Sequence, residues 1–217
     1  MDARATSAVI CSSSRFDRIL LWVAGGLAVV IALASFRYLF NQGPFPPLII
    51  SNAFAAPWLI IHIGSSALAL LIGPFQFSTR LRRQAPRVHR WIGRTYVAGC
   101  LIGGVAGLVL AFGASTGIIS TVGFGLLAII WIVATVVAWR SAWQGHFASH
   151  RQWMIRSFAL TFAAVTLRIY LGVVFATGLP IIPSYQAISF LCWIPNLLFA
   201  EAYLRYEVSR RAKGAPV

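Results

Sequence analysis

Acid is what this chain has least of. Four Asp and Glu stand among 217 residues, against 18 Lys and Arg. Only 10% of the residues are charged, 59% are hydrophobic, and the mean hydropathy is +0.80. A soluble domain is about a quarter charged and about half apolar, so a water-solvated globule is excluded. Few carboxylates also means little acid-dependent chemistry. Intramembrane zinc hydrolases and glutamate proteases want further acids at the site, and membrane di-iron oxygenases need more ligands than four histidines and so few acids supply. The cysteines Cys11, Cys100 and Cys192 lie far apart with no CxxC, so no disulfide framework is encoded. Two of them fall in apolar segments, where a free thiol acts as a small hydrophobe. There is no GxSxG, no P-loop, and no GxGxxG joining a strand to a helix. No internal repeat or low-complexity region is present.

What is present is six long apolar stretches, approximately Ile19–Phe40, Ala55–Phe77, Trp91–Ala114, Thr121–Trp143, Trp153–Thr177 and Tyr185–Leu204. Each is long enough to cross a hydrocarbon core of about 30 Å. In lipid the backbone must satisfy its own polar groups, so the stretches are helices. The expected fold is an all-α polytopic transmembrane bundle. Residues 1–18 form an N-terminal segment, 19–205 the six-helix domain and 206–217 a basic tail. Arg15 to Arg18, the apolar run after them and Ala32-Leu33-Ala34 imitate a signal peptide. The run continues past that point, so the first helix is read as a retained span.

Charge sets the orientation. Sixteen of the 18 Lys and Arg fall in the N-terminal segment, around the second-to-third link, around the fourth-to-fifth link, or in the tail. The loops 41–54, 115–120 and 178–184 hold none. The two exceptions are Arg37 and Arg168. This one-sidedness places the basic side, and both termini, in the cytoplasm. The net charge of +14 is then assigned to topology and to contact with anionic lipid heads, with no nucleic acid as partner.

Ionisable side chains inside a bilayer are costly and mark sites or structural pairs. His62 lies about 10 Å and Arg168 about 13 Å from the outer ends of their helices at 1.5 Å per residue. His62, Ser65, Ala69, Gly73 and Gln76 form one small and polar seam, and Ser157, Thr161 and Arg168 a stripe on the fifth helix. If both face inward, His62 and Arg168 line one outer pocket, for a quinone or small anion. The bland alternative is that Arg168 bonds backbone carbonyls and His62 is a satisfied core histidine. Gly99, Gly103 and Gly107 repeat every four residues, a seam for close helix approach, or else room for a flat cofactor. At the other end His89, Arg90, Trp91 and Arg94 open the third helix. His146, His150, Arg151, Trp153, Met154 and Arg156 lead into the fifth. Glu201 is expected to pair with Arg94 or Arg156, as a structural tie between helix ends.

His62-x2-Ser65, Gly73-Pro74-Phe75-Gln76-Phe77, His89-Arg90-Trp91-x-Gly93-Arg94-x-Tyr96, His150-Arg151-x-Trp153-Met154-x-Arg156-Ser157, Arg168 and Trp193-x-Pro195-Asn196-x4-Glu201 together resemble the predicted bacterial membrane proteins called domain of unknown function 2306 (DUF2306). The resemblance covers about residues 55–205. It implies a polytopic membrane fold and no settled activity; with the charge pattern, the expected location is a bacterial inner membrane.

The leading functional reading is a membrane redox protein binding b-type haem or quinone. His89 and His150 would be axial haem ligands from two helices that start on the same side. Arg90, Arg94 and Arg156 would hold propionates or other anions. The arrangement resembles small cytochrome b561-type carriers. It departs from them because those have two ligand pairs deep within helices, whereas His89 and His150 lie near the interface. A variant places a bare metal on His89, His146 and His150, with Met154 nearby. The alternatives are a small-molecule or anion transporter, or an accessory subunit of a larger membrane complex or homo-oligomer. Enzymatic activity is left open, as a membrane oxidoreductase component.

Overall fold

A computed structural model describes residues 15–40, 42–43 and 51–212. Residues 1–14 of the N-terminal segment and 213–217 of the tail lie outside them. Among the described residues there are helices and no strands. The helices are α1 (Arg15–Phe36), α2 (Ala55–Ile72), α3 (Thr79–Gln84), α4 (Pro86–Phe112), α5 (Ile118–Trp143), α6 (Phe147–Thr161), α7 (Ala163–Thr177), α8 (Ile181–Leu191) and α9 (Ile194–Ala212). Short 3-10 turns at Arg37–Phe40 and Gly73–Phe77 extend α1 and α2.

Six helical segments are long and apolar enough to cross a membrane: Ile19–Phe40, Ala55–Phe77, Pro86–Phe112, Ile118–Trp143, Phe147–Thr177 and Ile181–Arg210. The third begins at Pro86 rather than Trp91, because Pro suits the first helical turn, where its missing N–H costs nothing. The last helix runs to Ala212, so the first part of the expected tail is helix. The second-to-third link carries the extra helix α3, started by Ser78, whose hydroxyl accepts from the Leu81 N–H at 3.2 Å.

Lipid tails are as apolar as leucine, so helices in lipid associate through close packing and hydrogen bonds. The second and third spans do both. Along their antiparallel contact, Gln76 lies beside Gly93, Gly73 beside Tyr96, Ala69 and Ser65 beside Gly99, Ser65 and Ser66 beside Gly103, and His62 beside Gly107. Each step of three or four along one helix is matched by a step back along the other. The two expected seams are therefore the two sides of one interface. The room that could have held a flat cofactor is filled by the second span.

The main core joins Ala69, Tyr96, Cys100, Trp131, Ala138, Met154 and Leu160 with Ile188, Cys192 and Trp193. The first span packs outside this core through Ala28 and Ala32, against Leu70 and Val165 of the second and fifth. Trp22, Leu33, Ile102, Val133 and Phe175 are exposed, as lipid-facing residues must be. Trp91, Trp139 and Trp143 are exposed at the arginine-rich end, where indoles settle at the membrane interface.

The fifth and sixth spans are each interrupted, at Phe162 and at Cys192–Trp193. Pro195 has no N–H for the Leu191 carbonyl, which accounts for the second break. The two breaks face each other and are tied. Thr166 Oγ1 donates to the Cys192 carbonyl at 2.5 Å, and Asn196 Nδ2 reaches Cys192 O at 3.0 Å and Thr166 Oγ1 at 3.1 Å.

Candidate functional site

The arginine-rich end holds two of the four histidines, His89 and His150, within electrostatic range of each other, and a buried amide, Gln76. His89 sits in the first turn of α4, and its Nδ1 is buried with no hydrogen-bond partner. Gln76 is carried inward by the turn at Gly73–Phe77 and is 8% exposed. Its Nε2 is also buried without a partner. Gly93, one turn beyond His89, leaves room for it: a Cβ there would stand 3.0 Å from Gln76 Oε1. The orphaned groups of His89 and Gln76 therefore lie along one face of α4.

His150 approaches from α6. Its Nδ1 donates to the Ala138 carbonyl at 2.8 Å, which leaves Nε2 with its lone pair. His89 lies within electrostatic range of His150 and Arg82. His146 precedes α6 in a non-helical conformation and is exposed. Among the described residues no three His, Cys, Asp or Glu gather as a metal site. The three-histidine metal variant is therefore corrected: His146 is outside the helix that carries His150.

The arginines divide. Arg90 and Arg94 are exposed, and Arg94 stands 5.5 Å from the Trp91 ring centroid. Arg156 takes Glu201, Nε to Oε1 at 2.5 Å and Nη2 to Oε2 at 3.0 Å, and also covers the Trp153 ring at 4.7 Å. Glu201 therefore neutralises one of the three arginines expected to hold an anion, and the expected tie between helix ends is there. A second tie was not expected. Arg151 grips Glu207 with both terminal nitrogens, at 2.5 and 2.7 Å, and Tyr203 donates to the same carboxylate at 3.2 Å.

Between the two ends lies a closed polar cluster that sequence reasoning did not assemble. The Tyr96 hydroxyl is 3.0 Å from both Ser157 Oγ and Thr161 Oγ1. Trp131 Nε1 donates to Thr161 Oγ1 at 2.9 Å, and Thr135 Oγ1 lies 2.7 Å from Ser157 Oγ. Thr135 gives its own proton to the Trp131 carbonyl and Thr161 to the Ser157 carbonyl. Ser157 therefore donates to Thr135, and every hydroxyl proton of the cluster has an acceptor. Thr161→Val removes the acceptor of the Trp131 N–H and should cost about 1–2 kcal/mol, whereas Tyr96→Phe strands no donor and should cost about 0.5 kcal/mol. Thermal unfolding in mild detergent ranks the two; a larger loss for Tyr96→Phe contradicts this bonding scheme.

At the arginine-poor end the bland contacts are present. His62 Nδ1 bonds the Gly103 carbonyl at 2.8 Å. Arg168 donates to the Ala164 carbonyl at 2.8 Å and to Ser35 Oγ at 2.9 Å. The two are not hydrogen-bonded to each other but lie within electrostatic range.

The family described as predicted membrane protein (DUF2306) matches residues 59–204. No curated protein and no solved structure matches the chain. The match covers the second to sixth spans, with His62, Gln76, His89, Tyr96, His150, Arg156, Arg168 and Glu201 all inside it. The chain belongs to the DUF2306 family of predicted membrane proteins.

Proposed function

We propose that this chain is a quinone-binding membrane protein, with the carbonyl head of the quinone held at the arginine-rich end between Gln76, His89 and His150. The observation that carries the reading is the pair of buried, unpartnered nitrogens, Gln76 Nε2 and His89 Nδ1. A buried donor without an acceptor costs about 1–3 kcal/mol, so such groups call for an absent partner. A quinone carbonyl is an acceptor without a charge, suited to an apolar site that already has several arginines nearby. Val88 and Trp91, beside His89 on the same helix, are exposed, so this part of the helix is open to lipid. By the charge rule this end, with both termini, lies in the cytoplasm, and the membrane is a bacterial inner membrane.

A second reading has its own support. A metal-bound histidine usually donates its other ring N–H to a carbonyl, as His150 does to Ala138. His89 lacks that second contact. Haem between the two would supply one-electron transfer, with Arg90 and Arg94 near its propionates. The transporter alternative leans on interrupted helices, and here the breaks are closed on each other by Asn196 and Thr166.

The test is titration of the purified protein with a short-tailed ubiquinone analogue, read by tryptophan fluorescence. Saturable binding that weakens about tenfold in Gln76→Leu and in His89→Ala supports the proposal. No binding, or equal binding by both variants, overturns it. A Soret band in protein from haem-replete cells, lost in His89→Ala and His150→Ala, moves the site to the second reading.

A further inference from the structure

The two basic residues that break the charge rule come together in the fold. Arg37 ends the first span and Arg168 lies about 13 Å from the arginine-poor end of the fifth. Arg37 donates to the Tyr38 hydroxyl at 2.9 Å and stands 4.8 Å from that ring's centroid. Arg168 lies within electrostatic range of both Tyr38 and Arg37. It also donates to Ser35 Oγ, whose own proton goes to the Ile31 carbonyl at 2.7 Å, so Ser35 serves Arg168 as an acceptor.

Among the described residues the site has no counter-charge of its own; the acid at position 2 lies outside them. Of the four acids, Glu201 and Glu207 are held by Arg156 and Arg151 at the other end. Asp17 is separated from Ser35 by about 27 Å of helix rise. The loops 41–54, 115–120 and 178–184 contain no Asp or Glu. Arg168 is half-buried, and among the described residues two of its five N–H groups meet protein acceptors. Two guanidinium groups within electrostatic range of each other, with no carboxylate beside them among the described residues, repel each other.

We propose that Arg37 and Arg168, with Tyr38 and Ser35 between them, form a binding site for a phosphate group at the arginine-poor face of the membrane. Arginine matches phosphate oxygens in a fork of parallel hydrogen bonds. The guanidinium of Arg168 is fixed by the Ala164 carbonyl and by Ser35 Oγ, two residues before Arg37 on the first span. His62, within range of Arg168, borders the site from the second span and adds no negative charge. The phosphate comes either from a lipid headgroup or from a soluble anion.

Photo-crosslinking phosphatidylglycerol, added to the purified full chain in neutral detergent, tests this with a local readout. Cross-links are expected on peptides covering 31–40 and 163–177. They should fall about tenfold in Arg168→Gln and several-fold in Arg37→Gln. Arg37 is exposed, so its variant keeps the test open if Arg168→Gln does not fold. Competition by unlabelled phosphatidylglycerol, and not by diacylglycerol, identifies a lipid headgroup. Loss of the cross-links in millimolar inorganic phosphate identifies a soluble anion. Cross-links at these peptides that are absent in the wild type, unchanged in the foldable variants, or displaced equally by diacylglycerol overturn the proposal.

Discussion

Gly99→Val should destabilise the bundle by about 3 kcal/mol, the upper end for overpacking a tight contact. A Cβ at this position would stand 2.9 Å from the Ser65 carbonyl oxygen and 3.3 Å from the Ala69 Cβ. The first of these is backbone and cannot swing aside. The two spans would have to separate, which also lengthens the bond from His62 to the Gly103 carbonyl one turn away. The control is Gly172→Ala. Nothing lies within 4 Å of a Cβ there, so the change should be neutral or stabilising by up to about 1 kcal/mol through helix propensity. Unfolding midpoints in one detergent decide the matter, and equal midpoints for the two variants would falsify the close contact.

Arg151→Ala should cost about 2–3 kcal/mol, because it leaves the Glu207 carboxylate with only Tyr203 for company. Glu207 has 9% of its side chain exposed against 36% for Arg151, so solvent offsets part of the penalty from the arginine side alone. The same loss should shrink in an Arg151→Ala, Glu207→Gln double variant, since the neutral amide tolerates burial better. Full additivity of the two single losses would show that the pair does not interact. The Arg156 pair is wetter at its acid, with 34% of the Glu201 side chain exposed. Breaking it should therefore cost less, about 1 kcal/mol.

The spans were legible because hydropathy depends on composition over about 20 residues, and six such stretches stand clear of their links. Two helix starts were missed: the third span was begun at Trp91 rather than Pro86, and the helix that Ser78 caps was not expected, because both starts lie in the arginine-rich link where hydropathy carries no signal. The break in the sixth span has Pro195 as its mark. The break at Phe162 has no proline, and its partners Thr166 and Asn196 lie on different helices.

The site was legible by half. His89 and His150 do share one end of the bundle, and Arg156 does take Glu201. Gln76 was seen only as a member of a seam, because periodicity tells which face a residue occupies and not what it meets there. The same limit hid the Tyr96 cluster, whose members come from the third, fourth and fifth spans. Glu207 was missed for a different reason. The sixth helix was ended at Leu204, where apolarity fades, although the backbone stays helical and turns Glu207 toward Arg151.

The matched seam between the second and third spans has a consequence for how the nascent chain enters lipid. His62 is costly to insert alone, since on its own helix its ring meets only the Ser66 hydroxyl, at 3.4 Å, and the closer partner, the Gly103 carbonyl at 2.8 Å, is supplied only after the third span has arrived. The link at 78–85 is short, so both halves of this hairpin emerge from the translocation machinery close together in time. The pair can zip before the fourth span is synthesised, and the later helices then dock on a preformed two-helix template.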